Sequence, residues 1–123
     1  MKIGIIGGSG LDDPNIFEVE DEQVIQTQFG KPSSPIKEGK IKNVSVAILV
    51  RHGKNHSISP SNVNYRANIL AMKEIGCTHI LASTAVGSLE VEIEPGHLVF
   101  PSQFIDFTKG RNSTFFDKDQ VVH

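Results

Sequence analysis

The sequence lacks tryptophan and has a single cysteine, Cys77, among its 123 residues. One cysteine cannot form a disulfide within the chain, which is typical of a reducing compartment and predicts a cytoplasmic location. The 12 basic residues are slightly outnumbered by 14 acidic ones, so no basic footprint indicates nucleic acid. The longest apolar run covers residues 46–50, and no apolar signal region follows Met1. We therefore expect neither a membrane span nor a secretory leader.

The length suits one domain and is too short for two. A hydrophobic content of 38% excludes wholesale disorder. A chain of this length buries roughly two-thirds of the surface that its unfolded form exposes.

Short apolar runs alternate with one amphipathic segment, which predicts an α/β architecture with a partly parallel sheet. Residues 63–75 are predicted to form a helix that Ser61 or Asn62 caps and that Gly76 ends. Residues 37–42 and 44–50 are predicted to form a hairpin, whereas residues 17–29 form an exposed strand or hairpin arm. The other predicted strands cover residues 2–6, 79–83 and 98–105.

One substantial helix is too few for a complete domain of this class, because a parallel sheet needs helices on both faces. The polar residues 109–123 also end without a terminating element. We therefore expect residues 1–123 to be an incomplete domain of a larger fold.

Three predicted strands end in loops with polar chemistry. These loops are Gly7-Gly8-Ser9-Gly10, Arg51-His52-Gly53 and Thr84-Ala85-Val86-Gly87. Each alone is an ordinary turn or surface pair, but ligands of open α/β sheets bind beyond the carboxyl ends of strands. Together the loops offer hydroxyls, free amides and one guanidinium fork, which is an oxyanion receptor suited to phosphate.

Other residues with reactive side chains favour structural roles. Cys77 lies between a helix end and a strand, where an inert packed thiol is expected. His79 and His97 lie at strand starts, away from the ligand edge. Asp12-Asp13 is followed by Pro14 and is expected to form a cap or turn, so no metal site is predicted.

Two other enzyme classes share short motifs with this chain. The early glycines follow G-x-x-G-x-x-G instead of the dinucleotide-binding G-x-G-x-x-G, and Pro14 leaves no room for the required helix, so that class is rejected. Arg51-His52-Gly53 resembles the signature of histidine phosphatases, in which the histidine becomes phosphorylated. It follows a later strand than in that superfamily, and this class remains an alternative.

Many ordered segments carry a resemblance that covers the whole chain. They are residues 3–11, 29–33, 51–53, 63–68, 76–79, 84–89, 94–96 and 103–106. In this order they resemble the N-terminal half of the trimeric purine nucleoside phosphorylase family. The Arg-His-Gly form and the segment Gln103-Phe104-Ile105-Asp106 are similar to the branch that acts on 5′-methylthioadenosine.

The resemblance implies a nucleoside-phosphorylase-like fold with a central mixed sheet flanked by helices. It also implies a pentosyltransferase of methionine and purine salvage, in which inorganic phosphate displaces adenine from 5′-methylthioadenosine to give 5-methylthioribose 1-phosphate. Inosine, guanosine or adenosine is the alternative substrate. Phosphate is the co-substrate, no cofactor is implied, and the family forms homotrimers or hexamers.

The resemblance also assigns residues to the site. The positions that match phosphate contacts are Ser9, Arg51, His52, Thr84 and Ala85. The positions close to ribose and purine are Thr84, Ala85, Val86 and Gly87. His56 corresponds to a histidine near the phosphate loop, and His123 to a loop histidine that reaches a neighbouring subunit's site.

The family's purine-side acid, with the rest of its second half, has no counterpart in these residues. The 123 residues alone are therefore expected to be inactive. The non-enzyme alternative is a phosphate-binding fragment that depends on a complementing C-terminal half.

Overall fold

The computed structural model describes residues 1–8, 11, 17–118 and 121–122. Five strands and one α-helix occur within these residues, with two short 3₁₀ turns at Lys54–His56 and Pro60–Asn62. The elements are β1 (Lys2–Gly7), β2 (Glu18–Gln23), β3 (Ile36–Ile41), β4 (Val44–Val50), α1 (Tyr65–Glu74) and β5 (His79–Ala82).

The strands form one mixed sheet in the order β2-β3-β4-β1-β5. β1 is parallel to both β4 and β5, whereas β3 is antiparallel to its neighbours β2 and β4. The predicted β3–β4 hairpin and the mixed sheet are confirmed. The carboxyl ends of β4, β1 and β5 consequently lie at the same edge of the sheet, which positions the loops that follow them.

Alternating side chains of β4 supply both faces of the sheet, because successive residues of a strand point to opposite sides. Ala47 and Leu49 pack against Met72 of α1 on one face. Val46 and Ile48 pack with Phe17 on the other face. Both sets are almost fully buried, which explains why β4 has a continuous apolar sequence.

Helix α1 begins later than its predicted start. The predicted caps Ser61 and Asn62 are wrong, because both lie in the exposed 3₁₀ turn and Val63 after them is extended. Asn64 is the cap, and its side-chain oxygen accepts the backbone N–H of Ala67 at 3.2 Å. The same side chain donates to the Phe29 carbonyl at 2.7 Å, which ties the helix start to the loop before β3.

The predicted strand over residues 98–105 is wrong. A strand requires a neighbour for its backbone N–H and C=O groups, and within the described residues β5 pairs only with β1. The segment after β5 exposes large apolar side chains; among them are Leu89, Leu98, Phe100, Phe104 and Phe107. Among the described residues, no helix is long and apolar enough to cross a membrane.

Asn68 is a buried polar residue that fixes the loop after Phe29 to α1. Its Oδ1 accepts the Ser33 backbone N–H at 2.8 Å, and its Nδ2 donates to Ser33 Oγ at 3.0 Å. Its side chain is 2% exposed, so water cannot replace either partner.

The substitution Asn68→Ala should lower the free energy of unfolding by about 1–3 kcal/mol, because it leaves the partly buried Ser33 N–H without its acceptor. Asn62→Ala, at an exposed position, is the matched control and should change it by less than about 0.5 kcal/mol. Urea denaturation followed by circular dichroism measures both. Equal effects of the two substitutions would show that the Ser33 contact does not stabilise the fold.

Candidate functional site

A cleft of about 640 Å³ lies at the sheet edge where β4, β1 and β5 end. Residues from all three of the predicted loops line it: Gly8 after β1, Arg51, His52 and His56 after β4, and Ser83, Thr84 and Ala85 after β5. Ile58, Ser59 and Pro60 complete its wall.

Backbone pairing brings these loops to the same level. The Arg51 N–H donates to the Gly7 carbonyl at 2.8 Å, and the Ser83 N–H donates to the Ile6 carbonyl at 2.9 Å. Both bonds extend the parallel ladders beyond the strands. The three loops therefore begin side by side, whatever their side chains are.

Arg51 is held in place by two acceptors. Its Nη1 donates to the Ser83 carbonyl at 2.9 Å, and its Nε donates to His52 Nε2 at 3.3 Å. A guanidinium has five N–H donors, so three remain for a ligand once these two contacts with described residues are counted. A planar fork with free donors suits an oxyanion such as phosphate.

The hydrogen bonds of His52 define which ring nitrogen carries the proton. Its Nδ1 lies 3.0 Å from the Ile58 carbonyl oxygen, which can only accept, so Nδ1 must donate. The Ile58 N–H in turn donates to the His52 carbonyl at 2.9 Å. The ring thus donates from Nδ1 and accepts at Nε2, where Arg51 Nε donates.

An unusual backbone path places His56 beside His52. Gly53, Asn55 and His56 all have positive φ, at 69°, 57° and 54°. The chain turns back on itself here, and the two imidazole rings stack with centroids 5.8 Å apart and planes 11° from parallel. At Gly53 a Cβ would lie 3.0 Å from Ser57 Oγ, so glycine suits this turn for both space and conformation.

The predicted site residues are only partly brought together. Thr84 and Ala85 line the cleft, whereas Val86 and Gly87 lie outside its lining and the Val86 side chain is 80% exposed. Ser9 and His123 lie outside the described residues.

Sequence reasoning missed two residues that position the site. Ile58 and Ser83 act through their backbone carbonyls, which hold His52 and Arg51 respectively. Every residue has a backbone carbonyl, so the residue type does not indicate a contact of this kind. The only available signal was position, since Ser83 directly precedes the Thr84 loop.

A second pocket of about 310 Å³ lies between α1 and residues 106–115. Its two arginines are already engaged: Arg66 pairs with Asp117, and Arg111 donates to the Tyr65 hydroxyl at 3.3 Å. The Arg66 hydrogen bond lowers the pKa of the Asp117 carboxyl. The carboxylates of Asp106 in the lining and of Asp117 beside Arg66 make this pocket less suited to an anion than the cleft.

Cys77 is placed as an inert thiol would be. It packs beside the core with its Sγ 3.8 Å from Met72 Sδ, and burial raises its pKa. In the described part of the chain, no group of three or more histidine, cysteine or acidic side chains is arranged to hold a metal ion. Asp12 and Asp13 lie outside that part.

Residues 2–123 match the family described as the Phosphorylase superfamily. The S-methyl-5′-thioadenosine phosphorylase of Aedes aegypti is 57% identical over 122 residues, which are 99% of this chain and 44% of that protein. The enzyme of the same name from Xenopus tropicalis is 58% identical over 118 residues, covering 95% of this chain and 42% of that protein.

Solved structures agree with this match. A mutant of the Adenosine/Methylthioadenosine Phosphorylase from Schistosoma mansoni, in complex with methylthioadenosine, superposes with a TM-score of 0.86 at 52% identity. The superposition covers 94% of this chain and 40% of that one. The chain thus spans well under half the length of the relatives it matches.

The raised pKa of Cys77 makes its reactivity testable. A raised pKa lowers the thiolate fraction at any given pH, so alkylation should become fast only at higher pH than for a free thiol. We expect iodoacetamide to modify the folded chain more slowly than the urea-unfolded chain at the same pH, as followed by intact mass. Cys77→Ser is the blank. Equal alkylation rates in the folded and unfolded chains would contradict the assignment of Cys77 as a packed, inert thiol.

Proposed function

Because the chain belongs to the phosphorylase superfamily, we propose that the cleft binds inorganic phosphate for the phosphorolysis of 5′-methylthioadenosine. One observation carries the proposal. Arg51, with free donors, stands at the meeting point of three strand ends, and Thr84 and Ala85 lie in the same cleft.

The phosphate contacts follow from the donors in the cleft. The free edge of Arg51 holds two phosphate oxygens, the Thr84 hydroxyl and the Ala85 N–H donate to others, and His52 completes the set. Ser9 follows Gly8, which lines the cleft, and supplies a further hydroxyl in this proposal. His56 stacks on His52 and acts at most as its support.

The nucleoside occupies the side of the cleft that the third loop forms. Thr84 and Ala85 contact the ribose, and Val86 and Gly87 lie along the purine. The exposed Val86 side chain supports this placement, because an apolar surface next to a polar cleft is suited to cover a base. We also propose a homotrimer or hexamer, in which His123 is the residue that would contribute to a neighbouring subunit's site.

The reaction breaks the bond between the ribosyl carbon and adenine and forms a bond from that carbon to a phosphate oxygen. Its products are adenine and 5-methylthioribose 1-phosphate. Positive charge builds up on the ribosyl ring as the base leaves, and a fixed phosphate dianion beside the ring stabilises it. Positioning and preorganised donors supply most of the acceleration, and phosphate is the only co-substrate.

Residues 1–123 are, in this proposal, the phosphate-binding N-terminal part of the fold. The purine-side acid comes from the length that the relatives have beyond the match. The 123 residues alone therefore bind phosphate without turnover, and catalysis requires the complementing part. We also propose a cytoplasmic location, because a single cysteine is typical of a reducing compartment.

Adenosine is the second candidate substrate. The similar protein from Schistosoma mansoni is an Adenosine/Methylthioadenosine Phosphorylase, a name that includes both nucleosides. Competition between the two nucleosides in one assay decides which of them is the preferred substrate. The histidine phosphatase alternative is not supported, because the family match extends over residues 2–123.

The test replaces the guanidinium fork with a point charge. Arg51→Lys should lower kcat/KM for phosphate by about 10²–10³, because an ammonium cannot make the bidentate contact. Arg111→Lys, in the second pocket, is the matched control and should stay within about twofold. The assay follows adenine release from 5′-methylthioadenosine, with the chain co-expressed with the complementing part of the Aedes aegypti relative.

Two results would contradict the proposal. If Arg51→Lys and Arg111→Lys have equal activity, phosphate is not held at Arg51. If no nucleoside releases its base in the presence of phosphate, while the co-expressed parts form a stable complex, the activity itself is wrong.

A further inference from the structure

We propose that Tyr65 is a positioning residue of the cleft, because its hydroxyl holds the wall segment (residues 58–60) in place. Tyr65 is the first residue of α1 and lies outside the cleft lining, whereas all three residues of the wall segment line the cleft. The inference rests on the proposed phosphate site and adds to it a residue that acts through the wall segment.

The wall segment belongs to an irregular part of the chain. It begins after the 3₁₀ turn Lys54–His56 and ends in the first residue of the next one, Pro60–Asn62. Ser59 between them is extended, with φ at −66° and ψ at 154°. Three-residue 3₁₀ turns have few hydrogen bonds of their own, and these have poor geometry. The position of the wall segment therefore depends on individual contacts with the rest of the chain.

Contacts at both ends hold the wall segment. At Ile58 the carbonyl accepts from His52 Nδ1 at 3.0 Å, and the N–H donates to the His52 carbonyl at 2.9 Å. At Pro60 the carbonyl accepts from the Tyr65 hydroxyl at 3.2 Å. Proline has no N–H, so its carbonyl is the only backbone polar group through which Pro60 can be held. His52 thus holds one end of the wall segment, and Tyr65 holds the other.

The partners of the Tyr65 hydroxyl define the direction of its bond. A carbonyl oxygen can only accept, so the hydroxyl donates its one hydrogen to Pro60. The hydroxyl oxygen can still accept, and Arg111 Nη1 donates to it at 3.3 Å. A phenylalanine at this position would keep the ring and lose both contacts. Of the two partners, Pro60 lines the cleft and Arg111 lines the second pocket.

Helix α1 gives the Tyr65 side chain a firm base. The cap Asn64 donates to the Phe29 carbonyl at 2.7 Å, and Ala71 and Met72 are fully buried in the core cluster. The Tyr65 ring is itself partly buried. A side chain that starts on a packed helix and ends on an irregular segment fixes that segment relative to the helix.

Displacement of the wall segment would reach the phosphate contacts through His52. Ile58 lies two residues before Pro60, so release of Pro60 loosens the carbonyl that orients the His52 ring. Arg51 stays fixed on the Ser83 carbonyl, so the effect is smaller than that of changing Arg51 itself. A bound phosphate contacts His52 and holds it directly. The Tyr65 bond therefore preorganises the empty cleft and affects the capture of phosphate more than the reaction at saturation.

The test removes the hydroxyl and keeps the ring, in the adenine-release assay with the complementing part of the Aedes aegypti relative. Tyr65→Phe should raise KM for phosphate about 3–10-fold, as expected for the loss of one neutral hydrogen bond, and should change kcat less than about twofold. Thr78→Val is the matched control. It removes an exposed hydroxyl that donates to the Lys2 carbonyl at 3.3 Å before the start of β5, and should keep both constants within about twofold.

Further measurements separate positioning from folding. The urea midpoint of Tyr65→Phe should coincide with that of Thr78→Val, whereas a merely structural role would lower it and leave KM unchanged. Arg111→Met removes the other partner of the hydroxyl and should keep KM for phosphate within about twofold. Calorimetry with sodium phosphate on the 123-residue chain should show the same 3–10-fold loss of affinity in Tyr65→Phe without turnover. Tyr65→Leu is the second variant if Tyr65→Phe does not fold.

The outcomes separate this inference from the function on which it rests. If Tyr65→Phe and Thr78→Val have the same KM for phosphate, or if the loss lies in kcat alone, the positioning role is overturned while the phosphate site stands. An equal rise of KM in Arg111→Met would assign the effect to the second pocket and also overturns it. If Arg51→Lys keeps full activity, or no base is released, the proposed function fails and this inference fails with it.

Discussion

Parallel pairing of β1 with β4 on one side and β5 on the other is the constraint on which the remaining structure depends. It brings three separate strand ends to one edge, and the bonds from Arg51 to Gly7 and from Ser83 to Ile6 continue it into the loops. The site is thus positioned by backbone hydrogen bonds before any side chain takes part. A further backbone group, the Ser83 carbonyl, then orients the guanidinium of Arg51.

Much of the sheet could be predicted because its strands follow simple patterns. The continuous apolar run of β4 indicates a central strand, and in the structure Ala47 and Leu49 are buried on one face and Val46 and Ile48 on the other. The start of α1 was misplaced because three polar residues compete for the cap, and only the contact with Phe29 decides for Asn64. Such long-range contacts cannot be inferred from local propensity.

The candidate site likewise combines features that the sequence predicts with features that only the structure shows. Arg51, His52 and Thr84 could be singled out because their side chains carry the chemistry. The strand assigned to residues 98–105 failed because an apolar run indicates a tendency, whereas a strand also needs a partner. The tautomer of His52 depends on a carbonyl six residues away, after a turn with positive φ at Gly53, and no sequence pattern indicates it.

The position of β1 has a consequence for how the chain reaches this structure. The β3–β4 hairpin joins neighbouring segments, whereas Lys2 pairs with Ser45 and Ile3 with His79. Closing such long loops costs entropy before any contact repays it, so local hairpins form early and distant pairings form late. β1 is therefore among the last strands to be ordered, and the cleft exists only after β1 has entered between its two neighbours.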